Sequence, residues 1–202
     1  DVETLFVAWR TRSRIEHRFR ADAAALERAL RSAPFPDEAA RSELLEKGRK
    51  AASLLSPDAI VVDRSFRAEL PFSDAHARLF AVQAGMWRAL GCPPLRAWAT
   101  GAWDPLDPFA PLPPDPRRTV EVHALLGEHR SAAFNVVTTT GDPTEVLVRF
   151  EGLPGAPCPS YVSVHEVAWT DTGRGELVAA ALPKARRTDR GWSVRVLPGL
   201  PR

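Results

Sequence analysis

Lysine is scarce in this chain, confined to Lys47, Lys50 and Lys184 beside abundant arginine, and the formal charge of +2 is too small for a nucleic-acid footprint. The lysine–arginine imbalance reads as a bias of genome composition, and no nucleic-acid partner is expected. Cysteine is limited to Cys92 and Cys158, in unlike contexts and without CxxC spacing, which argues against a zinc site or a redox pair. One disulfide between them stays open, and two cysteines do not settle the compartment. No apolar run approaches the ~20 residues of a membrane span. The opening Asp1-Val2-Glu3-Thr4 lacks the basic and apolar regions of a signal peptide, so no membrane association is expected. The chain starts without an initiator methionine and reads as a processed or excised piece. GxSxG, HExxH, GxxxxGKS/T and GxGxxG are all missing, which removes most specific enzyme hypotheses. A carboxylate-based glycosidase survives that filter, because its two acids can stand far apart in sequence.

What is present describes a globular chain. At 202 residues, with 45% hydrophobic and 26% charged residues, it is long enough to bury a real core as one large domain or two small ones. Its 19 prolines collect in 93–116 and 154–159, marking those stretches as loops or linkers.

From Val2 to about Ser32, Ile15, Phe19, Ala23, Leu26 and Leu30 recur at helical spacing, with Arg10, Arg14, Arg20, Arg28 and Arg31 opposite. The arginine face, interspersed with Glu16, Asp22 and Glu27, reads as solvated, not as a polyanion dock. Pro34-Phe35-Pro36 ends this helix, and a second is predicted from Asp37 to Leu55. Ala59–Val62 reads as either a strand or a buried extended segment. A third helix starts at the N-cap Ser73 and runs to about Leu90, with Leu79, Val82, Met86 and Leu90 as its apolar stripe.

Beyond the proline-punctuated stretch Trp98 to Pro116, strands are predicted at Thr119–Leu126, Ser131–Thr139, Glu145–Glu151, Tyr161–Thr170, Glu176–Leu182 and Trp192–Leu197. Short strands at roughly ten-residue spacing without intervening helices point to an antiparallel β-sandwich. The expected class is α+β: a helical segment over 1–97, a Pro/Trp-rich connector over 98–117 and a β-sandwich over 118–202, one strand short.

Candidate sites are few. Trp98, Trp103 and Phe109 in the connector are the residues a sugar-stacking platform would use, although aromatics in such a connector more often pack onto neighbouring structure. Glu128 and Arg130 read as a local ion pair pinning a hairpin. His165 and Glu166 are adjacent in a predicted strand and so point to opposite faces. Asp104 and Asp107 sit in Asp-Pro turns without the ligand order of a calcium loop, and no metal or cofactor is expected. His76 and His123 have no catalytic partner nearby in sequence. A self-contained hydrolase would have only Glu128, Glu166 and Asp171 as its acids, two of them ~5–9.5 Å apart.

Several segments together carry a resemblance: Trp103-Asp104-Pro105, Val120-Glu121-Val122, Gly127 to Asn135 (GEHRSAAFN), Val146 to Pro154 (VLVRFEGLP) and Val164 to Asp171 (VHEVAWTD). Their layout resembles bacterial glycoside-hydrolase-like proteins akin to β-N-acetylgalactosaminidases, in which a β-sandwich precedes a (β/α) barrel. Leu182–Ala185 and Leu197–Arg202 look like the approach to a further sandwich strand. The resemblance implies a non-catalytic accessory portion whose partner is a C-terminal catalytic barrel of the same polypeptide, with a glycan as ligand and a secreted or periplasmic address. The family's catalytic acids belong to the barrel, so no catalytic residue carries over. The alternatives are a carbohydrate-binding module built on the connector aromatics and a scaffold domain pairing a sheet edge with a partner strand.

Overall fold

The computed structural model describes residues 2–63, 66–101, 104, 107–125, 127–171 and 177–202. The fold is mixed α+β. Among the described residues it comprises three α-helices, a short 3₁₀ turn at Pro57–Ala59, and antiparallel strands in three small sheets.

Helix α1 (Val2–Ser32) buries Ile15, Phe19, Leu26 and Leu30, the stripe its periodicity marks, while Glu16–Arg20 and Glu27–Arg31 pair along the solvent side. Asp22 departs from expectation. It lies on the buried face, completely enclosed. Helix α2 (Glu38–Ser53) begins where the Asp37 carboxylate accepts the Ala39 N–H at 2.9 Å. Helix α3 (Asp74–Ala89) begins where Ser73 Oγ accepts the His76 N–H at 3.2 Å. It is the central helix: Leu79, Phe80, Ala84, Met86 and Trp87 are all buried. Of 59–62, read as a strand or a buried extended segment, Ala59 closes the 3₁₀ turn, Ile60 is extended and buried, and Val61 is exposed, so the stretch is neither a paired strand nor buried throughout.

Strand β1 (Leu95–Thr100) pairs with β2 (Ala133–Thr138), Trp98 standing opposite Asn135. Trp98 therefore belongs to a strand, not to the connector. The prolines punctuate 93–94 and 105 onward, leaving ten residues between them, of which the six of Leu95–Thr100 pair. Strand β3 (Thr144–Val148) pairs with β7 (Trp192–Val196), which also pairs with the two-residue β6 (Arg186–Arg187). Strand β4 (Ala168–Asp171) pairs with β5 (Leu177–Ala181), and the bridge Glu69–Thr170 brings the segment before α3 against β4.

The strand expected at 119–126 is not a paired strand over its described part. Ala99 N–H donates to Arg117 O, after which 118–125 runs exposed, with Val120 at 42%, Val122 at 53% and Leu125 at 81% of full exposure. Alternation of β-branched residues makes a backbone strand-compatible, but a strand also needs an edge to pair with.

One core joins helices and strands. Leu26, Leu79 and Phe80 share it with Val137 of β2, Trp169 of β4, and Leu200. Each fully buried side chain of this kind contributes about 1.5–3 kcal/mol. The segment 198–202 locks the two halves together. Gly199 N–H donates to Thr138 O, Arg202 and Val136 exchange both backbone hydrogen bonds at 2.6 and 2.9 Å, and the Trp169 indole donates to Pro201 O at 2.7 Å. Gly199, at φ +70°, lies against the backbone of α3, where an added Cβ would overlap the Phe80 carbonyl and come within 2.8 Å of Ala84 N. Gln83, buried on α3, donates to both Pro108 O and Gly199 O at 2.5 and 2.8 Å.

Candidate functional site

Of the aromatics Trp98, Trp103 and Phe109, the two that are described do not make one exposed surface. Phe109 is only 8% exposed and stacks on Phe80 with ring centroids 5.3 Å apart, so its ring is spent on the core. Trp98 is half-buried against the same core. Trp103 lies outside the described residues.

Glu128 and Arg130 pair at 2.5 Å, as their spacing suggested. Glu128 also closes a tight turn, accepting the Leu125 N–H on its carboxylate and donating its own N–H to Leu125 O, both at 3.0 Å. The pair pins that turn, not a hairpin between two strands. Asp104 and Asp107 are turn formers: Asp104 accepts the Gly101 N–H and Asp107 accepts the Phe109 N–H. Both cysteine thiols are free. Among the described residues no three His, Cys, Asp or Glu side chains converge as a metal site.

His165 and Glu166 diverge as neighbours in an extended chain do. The exposed His165 meets Leu182 O through Nδ1 at 3.0 Å, while Glu166 reaches toward Arg202 at 3.7 Å. Burial pushes the Glu166 carboxyl above the ordinary 4.5; Arg202 opposes that rise, and the negative charges of Glu69 and Glu145 add to it. Arg202 also binds Glu69 at 3.3 Å, so one guanidinium, nine-tenths buried, stands between two carboxylates.

Arg202 lines a cleft of about 420 Å³ between 59–61, where the 3₁₀ turn gives way to extended chain, and the stretch 66–73 that leads into α3. Its apolar side comes from Ile60, Phe66, Leu70 and Phe72, and its polar groups from Arg67, Glu69, Ser73 and Arg202. The volume falls within the range of small-molecule sites. Sequence reading missed this cleft because its polar residues are scattered from Arg67 to Arg202.

A second constellation sits behind the cleft. His76 Nε2 lies 3.0 Å from Asp22, and Arg18 stands 2.8 Å from the other Asp22 oxygen, close enough for attraction but not aligned for a hydrogen bond. His76 Nδ1 accepts the Phe72 N–H at 3.3 Å, which leaves Nε2 to carry the proton toward Asp22. This resembles an acid–base couple in its parts. Asp22 and His76 are nevertheless both 0% exposed, so neither meets a substrate, and their work is to fix α3 against α1. The sequence held one signal for them: an aspartate at helical spacing within the apolar stripe Ile15, Phe19, Leu26, Leu30.

Comparison with protein families, curated proteins and solved structures found no match for this chain.

Proposed function

We propose that this chain is a non-catalytic accessory portion of a larger carbohydrate-active, glycoside-hydrolase-like protein, bracing a C-terminal catalytic barrel. The observation that carries the bracing role is the shared core: helices and strands are joined through Gly199, Leu200 and Gln83 into one unit, as a rigid support requires. The carbohydrate part rests on the resemblance of the segments between Trp103 and Asp171, and with it goes the reading of the three small sheets as parts of a β-sandwich. The carboxylates a self-contained hydrolase would need are engaged where they are described, Glu128 by Arg130 and Glu166 by Arg202.

The test is to express this chain beside the longest product of its encoding gene and assay both on aryl-glycosides, N-acetylgalactosaminides included. Hydrolysis by the longer product alone supports the reading. Hydrolysis by this chain, abolished when Glu128, Glu166 or Asp171 is replaced, overturns it.

A scaffold role is the second reading, favoured by the exposed stretch 118–125 with Val120, Val122 and Leu125 uncovered. Protection of these amides from hydrogen exchange in the longer product, and not in this chain alone, is its expected signature.

A further inference from the structure

We propose that the cleft between 59–61 and 66–73 binds a neutral pyranose, giving the accessory portion a sugar subsite of its own. The inference rests on the carbohydrate reading above and adds a location and a ligand class to it.

Charge narrows the ligand first. Among the described residues, the cleft is lined by two cations, Arg67 and Arg202, and one anion, Glu69, with Glu166 against Arg202 as a second anion. The signs cancel. An anion would meet Glu69 and the field of Glu166 beyond the lining, and a cation would meet Arg67 and Arg202, so neither finds a field of one sign. A neutral ligand rich in hydroxyls is different, because each hydroxyl both donates and accepts and can bridge a guanidinium to a carboxylate. Hydrogen bonds to ionised partners are the stronger kind.

The geometry of the polar groups supports this. Arg202 holds Glu69 at 3.3 Å and Glu166 at 3.7 Å, both looser than a close charge-assisted bond of about 2.7–2.9 Å. Glu69 keeps 42% of its side-chain exposure, so its carboxylate remains open to a ligand while touching Arg202. Ser73, whose hydroxyl accepts the His76 N–H, belongs to the same lining.

The apolar side fits the other half of a sugar. A pyranose presents a face of C–H groups that packs on an aromatic ring, and Phe66 and Phe72, with centroids 6.2 Å apart, both line the cleft. About 420 Å³ admits one ring with a substituent such as an acetamido group.

Calorimetry and saturation-transfer NMR on the chain should use methyl glycosides of galactose, glucose, N-acetylgalactosamine and N-acetylglucosamine, with glucuronate and glucosamine as charged counterparts. Saturable binding of a neutral glycoside is expected, weaker for both charged sugars. Glu69→Gln should weaken it about tenfold by removing an ionised acceptor, and Phe66→Ala should weaken it independently. Circular dichroism checks that both variants stay folded. No saturable signal from any neutral glycoside, tighter binding of a charged sugar, or affinity indifferent to both variants overturns the proposal. If glycosides fail to bind while the longer gene product hydrolyses them, the subsite is refuted and the accessory reading stands.

Discussion

Replacing Gly199 by alanine should cost this protein far more than the single methyl group suggests. The added Cβ would overlap the Phe80 carbonyl and approach Ala84 N to 2.8 Å, both on the backbone of a central helix that cannot step aside. The backbone at Gly199 has φ +70°, where alanine loses about 1–2 kcal/mol. Relief of the overlap requires 198–202 to lift off α3. That movement breaks the Gly199 hydrogen bonds to Thr138 and Gln83, worth about 0.5–1.5 kcal/mol each. It also uncovers Leu200, which is fully buried, at about 1.5–3 kcal/mol. A loss of about 4 kcal/mol or more follows. For a chain of this size each kcal/mol lowers Tm by about 2–4 °C, so thermal unfolding should shift down by about 8–16 °C. Gly141→Ala is the control, since nothing lies within 4 Å of a Cβ built there. If Gly199→Ala melted within about 2 °C of the parent, with an equal urea midpoint, the closure of the core by 198–202 would be refuted.

Three further outcomes are expected. Asp22→Ala leaves the buried His76 Nε2–H without its acceptor and the Arg18 guanidinium without its counter-charge and should cost about 3–5 kcal/mol in urea unfolding; a change below 1 kcal/mol would mean that water or another group replaces the carboxylate. Gln83→Leu strips the Pro108 and Gly199 carbonyls of a shared donor and should cost about 2–4 kcal/mol, with faster hydrogen exchange at Gly199 and Arg202; unaltered exchange there would argue against the tether. The Glu166 carboxyl, raised by burial, binds its proton more readily folded than unfolded, so its contribution to stability is present below 4.5 and lost as pH rises through the raised value. Glu166→Gln imitates the neutral form, so its stability relative to the parent should grow with pH across that window; a constant difference from about pH 4 to 7 would count against the raised carboxyl.

Local signals carried the helices. The stripe on α1, the Asp37 and Ser73 caps and the proline breaks each act within a turn or two of chain, so their physics is written in consecutive residues. The alternation at Val146, Val148 and Phe150 against exposed Glu145, Leu147 and Arg149 was legible for the same reason. The local ion pair of Glu128 with Arg130 also needed no distant partner.

The same logic failed wherever the partner was remote. Trp98 joined a strand because Asn135 lies opposite it, while 118–125, equally strand-like in composition, found no edge beyond Arg117. Phe109 was open to a stacking or a packing role in the sequence, and Phe80, 29 positions away, decides for packing. Asp22 and His76 meet across 54 positions, and Arg202 meets Glu69 across 133. The sequence by itself determined what each segment of backbone was suited to, because propensity, capping and periodicity are short-range. Only the tertiary structure decided which strand gained a neighbour, which acid was buried and which side chains enclosed a cleft, because those depend on surfaces that meet only when the chain closes on itself.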